Sequence, residues 1–193
     1  MKPMADAGPR ILVLSGPSGA GKTTIARHLE QDDRLRPSIS ATTRPKRPSE
    51  EEGKDYYFLT RELFEQWRAT GEFIETAEVF GNLYGTPRKG LRSIHEGGRT
   101  PLLDVDVQGA RELRRLGYGG VYVFIRPPDL ATLRQRLEQR GTAPAEVERR
   151  LARYEWEMSH RAELYNFEVE NRDLDRAIAE VETIVKQNLF GDK

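Results

Sequence analysis

The 193 residues contain no cysteine, which removes disulfides, thiolate nucleophiles and thiolate-ligated zinc together. Long hydrophobic runs are missing too: none approaches the roughly 18 apolar residues of a membrane-spanning helix. Net charge is absent, with Lys+Arg and Asp+Glu both at 31, so the basic excess of a general nucleic-acid binder is not there. The three histidines, His28, His95 and His160, lack metal-ligand spacing and read as structural or surface residues. Met1–Pro9 has no apolar signal-peptide core and is expected to be a disordered tail. A cytoplasmic protein with neither membrane nor nucleic-acid partners is expected; nothing in the sequence fixes its oligomeric state.

What is present is an alternation of strand-like and helix-like segments. Ile11–Leu14 and Val121–Ile125 are short continuous apolar runs, as strands buried on both faces should be. Pro101–Val107 reads as a third buried strand with two carboxylates at its exit, and Phe167–Glu170 as the last. Helices are expected over Lys22–Gln31, from Pro87 to about Gly97, up to Leu116, from Asp129 to near Gly141, over Glu146–Leu164 and over Asp173–Leu189. This order predicts an α/β fold with a mostly parallel sheet covered on both faces. From about Ser40 to Gly90 the texture changes to short strands (near 38–42, 55–59 and 72–80), one helix after Thr60 and tight turns. That stretch reads as an inserted α+β subdomain.

The strongest motif is Gly16-Pro17-Ser18-Gly19-Ala20-Gly21-Lys22-Thr23, which matches G-x-x-x-x-G-K-[ST] between a strand and a helix and runs on into Thr24. Its glycines let backbone N–H groups curl inward, and the helix N-terminus adds partial positive charge. Lys22 can reach the β- and γ-phosphates of a nucleoside triphosphate, and the Thr23 hydroxyl can ligate Mg²⁺. The motif says nothing about a second substrate.

A second pattern begins at Ser38-Ile-Ser40-Ala-Thr-Thr43-Arg44-Pro-Lys-Arg47-Pro-Ser-Glu50 and continues through Gly53-Lys-Asp55-Tyr56-Tyr-Phe58, Glu75-Thr-Ala and Tyr84-Gly85-Thr86. It resumes at Asp104-Val-Asp106-Val-Gln108-Gly109, Arg140-Gly141-Thr142 and Asn171-Arg-Asp. With these segments the chain resembles the guanylate kinases over nearly its whole length. The resemblance implies a P-loop core (10–39, 91–129 and 159–193), a GMP-binding subdomain (40–90) and a helical lid (130–158). It implies reversible transfer of the ATP γ-phosphoryl group to GMP, with dGMP as an alternative acceptor, and Mg²⁺ as cofactor.

By resemblance, Arg44, Arg47, Tyr56 and Tyr84 grip the GMP phosphate, and the chemistry agrees, since guanidinium forks and phenols suit a dianion. Guanine offers two parallel N–H donors that a carboxylate can accept. Glu75 and Asp106 would face that edge, with Ser40 and Thr86 hydroxyls near O6. Thr86 stands where many relatives carry Ser, which keeps the hydroxyl. Glu50 fits as a support for the arginine loop. Asp104, counted with Asp106 on the GMP side, is a candidate to reach Mg²⁺ through water, which of the two carboxylates lies nearer the metal staying open, and Asn171 matches a family position near adenine. Of the 31 basic residues 24 are arginine, so an isolated arginine reads first as a solvated surface charge. The resemblance favours Arg136, Arg140 and Arg150 over ATP, with Arg149 an open alternative to Arg150; Arg134 and Arg153 read as a charged helix face. The charge moving in transfer would be met by Lys22, Arg44, Arg140 and Arg150. Two rivals remain: a non-catalytic guanylate-kinase-like interaction module, and a kinase for another phosphorylated small molecule, such as a sugar bisphosphate.

Overall fold

The computed structural model describes residues 10–191, so the expected tail over 1–9 lies outside the described residues. Five strands form the main sheet: β1 (Ile11–Ser15), β2 (Leu35–Pro37), β7 (Thr100–Asp104), β8 (Gly120–Arg126) and β9 (Phe167–Glu170), in the order β2-β7-β1-β8-β9. Every pairing in it is parallel. A second sheet, β4-β3-β6-β5, is built from β3 (Ala41–Thr42), β4 (Tyr57–Phe58), β5 (Phe73–Val79) and β6 (Asn82–Pro87). The helices are α1 (Lys22–Leu29), α2 (Arg61–Ala69), α3 (Arg88–Glu96), α4 (Val107–Arg115), α5 (Leu130–Gln139), α6 (Pro144–Leu164) and α7 (Leu174–Val185).

Strand alternation splits the main core in two. Leu12, Leu14, Leu102, Val123 and Ile125 pack beneath α1 and α7, with Ile25, Ala177 and Val181. On the other face Ile11, Val13, Leu103 and Tyr122 meet Leu91, Ala110 and Leu113 of α3 and α4. Burial on both faces accounts for the unbroken apolar runs. The insert has its own core of Ala41, Phe64, Phe73 and Leu83, where Phe64 and Phe73 stack at 4.5 Å between ring centroids. Among the described residues no helix is long and apolar enough to cross a membrane.

Several local expectations are corrected. Of the strand expected near 38–42 only Ala41–Thr42 forms, in the small sheet, while Leu35–Pro37, where no strand was expected, lies in the main sheet, which the chain leaves after Pro37. The strand expected over 101–107 stops at Asp104, since the Asp106 side chain accepts the Gly109 N–H and starts α4 instead. The imperfect alternation of β5 has a cause: its register with β6 shifts between Phe73 and Thr76. The β5–β6 turn is Phe80-Gly81 rather than Gly81-Asn82, with φ of 51° and 79°, the left-handed pair of a two-residue hairpin. The closing helix loosens into a π-helical turn over Lys186–Phe190.

Phe64 is fully buried, and truncating it removes most of the insert's aromatic core. Phe64→Ala should destabilise that core by about 3–5 kcal/mol, measured as a lowered denaturation midpoint in urea followed by circular dichroism.

Candidate functional site

Parallel register brings the chemistry to one edge. Leu14 pairs with Asp104, and Ser15 with Phe124, so β1, β7 and β8 end side by side where ligands bind in open α/β sheets. Gly16 follows directly, with φ of 136°, and a Cβ there would lie 2.0 Å from the Ile125 carbonyl oxygen. Only glycine lets the loop turn that tightly. Asn171 braces the loop from behind: its Nδ2 donates to the Ala20 carbonyl at 2.7 Å, and it is buried. Arg136 in turn donates to the Asn171 carbonyl at 2.8 Å. Neither Arg136 nor Asn171 lines the cleft below.

The cleft has a volume of about 1110 Å³ and runs from the phosphate loop to the small sheet. Gly16, Ser18, Gly19, Gly21, Lys22, Thr23 and Thr24 line one end, while Pro17 and Ala20 do not. Lys22 Nζ donates to the Gly16 carbonyl at 2.7 Å and lies 3.9 Å from Asp104 Oδ1. Asp104 faces the cleft, and its enclosure pushes the carboxyl above its ordinary value, against the pull of Lys22. Among the described residues no three His, Cys, Asp or Glu side chains cluster to hold a metal on their own. Thr23 and Asp104 both line this cleft, a hydroxyl and a carboxylate of the kind that suits Mg²⁺, which keeps waters and comes bound to substrate phosphates.

At the other end, Arg44 makes a two-pronged pair with Glu50: Nη2–Oε1 at 2.8 Å and Nη1–Oε2 at 3.0 Å. Glu50 also accepts the Arg47 backbone N–H at 2.8 Å. Burial opposes its charge, but these donors prevail and hold Glu50 below the usual carboxylate range. The Arg44 guanidinium lies 5.4 Å from the Tyr56 ring centre, and Tyr56 meets Tyr84 edge-on at 6.1 Å. Burial, first of all, pushes the Tyr56 phenol up, so it stays a neutral donor. Arg47 is largely exposed at the rim, and Ser40 lines the wall.

The small sheet supplies Glu75, only 6% exposed. Thr86, across the β5–β6 pair and fully buried, donates to Glu75 Oε1 at 2.6 Å. The Thr86 hydroxyl proton is therefore engaged with Glu75 and does not face a ligand. Burial raises the Glu75 carboxyl to about 7, with the Asp106 charge adding to the rise and the Thr86 bond opposing it. A Cβ on Gly109 would sit 2.7 Å from Glu75 Oε2, so a side chain there would push this carboxylate from its place against α4.

The arm formed by α5 and α6 closes the third side. Arg140, Arg149, Arg150 and Arg153 all line the cleft. Of the two open alternatives, Arg149 is largely exposed and pairs with Glu146, whereas Arg150 is mostly buried and donates to the Ser18 hydroxyl. Arg134 is exposed and pairs with Glu148 on the outer surface. The expectation for Arg153 is overturned: it is mostly buried and turned inward, donating to Asp106 Oδ2 at 2.6 Å and Glu157 Oε1 at 3.2 Å. Glu157, 6% exposed, is a second cleft residue that sequence reasoning missed. Its only signal was helical spacing, four residues after Arg153 on a helix that looked uniformly charged.

Comparison with known proteins points to one family. The family model described as "Guanylate kinase" matches residues 8–188. A guanylate kinase from Alkalilimnicola ehrlichii is 44% identical over 92% of this chain and 88% of its own. The Homo sapiens guanylate kinase is 42% identical over 95% of each chain. The crystal structure of guanylate kinase from Anaplasma phagocytophilum is similar with a TM-score of 0.76 and 37% identity, covering 95% of this chain and 87% of that one. A fragment of tight junction protein 3, at 13% identity and a TM-score of 0.53, shares the fold alone.

Gly109→Ala should displace the Glu75 carboxylate and weaken whatever it binds. Isothermal titration with GMP is expected to show affinity lowered by about tenfold, with the melting temperature changed little.

Proposed function

The chain belongs to the guanylate kinase family, and from that premise we propose how its cleft carries out the reaction. It is an ATP-dependent kinase of nucleoside monophosphates, transferring the terminal phosphoryl group of ATP to GMP. The observation that carries the site assignment is one continuous cleft holding Lys22 at one end and the desolvated Glu75 at the other.

ATP would sit with its phosphates in the curl of Gly16–Thr23, and Asn171 and Arg136 hold that loop's backbone in shape. The 40–90 segment would be the GMP-binding subdomain and 130–158 the lid over the core. Arg44, Arg47, Tyr56 and Tyr84 would take the GMP phosphate, with Glu50 keeping the Arg44 fork preset. The ionised Glu75 and Asp106 would accept the guanine N–H donors, with Ser40 beside them and Thr86 acting through Glu75. Adenine lacks that donor pair and would leave the buried Glu75 carboxylate with only its Thr86 bond. Mg²⁺, held by Thr23 and by Asp104 through water, would supply charge neutralisation on the phosphates. Lys22, Arg44, Arg140 and Arg150 meet the charge that develops on the passing phosphoryl group. The GMP phosphate is already anionic near neutral pH, so no general base is assigned. Closing the arm and the insert over the cleft would exclude water, which otherwise competes as acceptor. A cytoplasmic location suits this chemistry and the absence of cysteine. The non-catalytic module is not favoured: a complete phosphate loop with Lys22 and Thr23 is what such a module does not need.

A coupled ADP-release assay across AMP, GMP, CMP and UMP should show turnover with GMP far above the others; equal use of AMP would defeat the base assignment. Glu75→Gln replaces one acceptor with a donor and should raise KM for GMP by about 10- to 100-fold, the loss of a charged hydrogen bond, leaving KM for ATP nearly unchanged. Since the Glu75 carboxyl is raised to about 7, only its ionised form accepts guanine, so KM for GMP should fall as pH rises through that value. The GMP phosphate also ionises in this range, and Glu75→Gln should keep that part of the profile and lose the rest. Lys22→Ala should cut kcat by about 10²-fold or more with the circular dichroism spectrum intact.

A further inference from the structure

One turn of α6 touches both ends of the cleft. Arg150 donates to the Ser18 hydroxyl of the phosphate loop, and Arg153, three residues on, donates to Asp106 Oδ2 at 2.6 Å. Residues three apart on a helix share a face, so the two guanidiniums move as one body. Between them stands the β5–β6 hairpin tip. The Phe80 ring centre is 5.5 Å from the Arg150 guanidinium and 5.6 Å from that of Arg153, both within the range of attraction to an aromatic face. Phe80 holds a φ of 51°, a conformation uncommon for a bulky non-glycine residue and one that persists only where the surroundings enforce it.

We propose that Arg153 is a positioning residue that couples occupancy of the acceptor pocket to the placement of Arg150 at the phosphate loop. The inference rests on the reading of Asp106 as part of the guanine pocket. Asp106 Oδ1 is occupied by the Gly109 N–H, and Oδ2 already accepts from Gln108 at 3.0 Å as well as from Arg153. A guanine donor arriving at this carboxylate must share it with Arg153. Its binding free energy therefore depends on where α6 sits. Glu157 fixes the other side of the guanidinium through Nε at 3.2 Å, so Arg153 cannot follow Asp106 without carrying the helix turn with it. Arg150 is displaced or seated accordingly. The coupling is reciprocal: ATP at the phosphate loop, by seating Arg150, favours the Arg153 position in which Asp106 is set for guanine. A side chain misplaced by about 1 Å can cost on the order of 10²-fold in rate, so the link bears on turnover as well as binding.

The test is a binding cycle by isothermal titration: the Kd of GMP with and without Mg²⁺ and a non-hydrolysable ATP analogue. In the wild-type protein the analogue should tighten GMP by about fivefold or more. In Arg153→Ala the two Kd values should agree within about twofold, and kcat should fall by about 10- to 100-fold, more than KM for either substrate changes. Arg153→Lys keeps a charge on Asp106 and should recover part of the coupling, without the second bond to Glu157. Arg134→Ala, on the outer face of the same arm, should leave the coupling intact. A merely structural role would lower the melting temperature and leave the ratio of Kd values untouched; that result overturns the proposal. So does a wild-type protein whose GMP affinity ignores the analogue. Should the wild type bind AMP as tightly as GMP, the guanine pocket itself is misassigned, a distinct failure that the same titrations reveal.

Discussion

The site depends on the register of three parallel strands. With Leu14 beside Asp104 and Ser15 beside Phe124, the phosphate loop leaves β1 next to the carboxylates that leave β7. A shift of one residue would turn Asp104 into the core and a leucine into the cleft, because side chains alternate along a strand. Burial on both faces forbids that shift. The contact between Gly16 and the Ile125 carbonyl then fixes how close the loop lies to β8. Apolar packing far from the ligands thus sets the separation of Lys22 and Asp104.

On this frame the cleft collects charge in an enclosed space. Glu75, Asp104 and Glu157 are all driven above their ordinary carboxyl values first by burial. Such groups are costly while unpaired and favourable once donors or cations meet them. Glu50 is the counterexample: with Arg44 and the Arg47 N–H already in place, it is held low. The cleft therefore has one half where Glu50 fixes arginine geometry beforehand, and another lined by carboxylates whose charge burial disfavours. On the proposed reading, a nucleoside monophosphate would present its anion to the first and its base to the Glu75 side of the second.

Much of this was legible in the sequence, for physical reasons. The strands Ile11–Ser15 and Gly120–Arg126 announced themselves as apolar runs, and the phosphate loop as a motif between strand and helix. The family pattern named Arg44, Glu75 and their companions. What stayed hidden was non-local. The burial of Glu75 comes from α4 lying against β5 at Gly109, and the role of Asp106 as a helix cap shortens the strand before it. Arg153 looked like one more charge on a long polar helix, since nothing in its neighbours says that Asp106, 47 residues earlier, waits across the cleft. The short strand at 35–37 went unseen and the one at 41–42 was drawn too long, because the jump between sheets leaves no compositional trace.

The insert's attachment has a mechanical meaning. Adjacent residues of β5 serve different cores: Phe73 packs with Phe64 and Leu83 inside the small sheet, while Ile74 packs with Val13 and Leu103 under the large one. A strand anchored in both bodies behaves as an axle. Any turning of the small sheet would cost least about that line, where Glu75 follows one residue after Ile74, and would carry Arg44 and Arg47 on the outer loop through the longer arc.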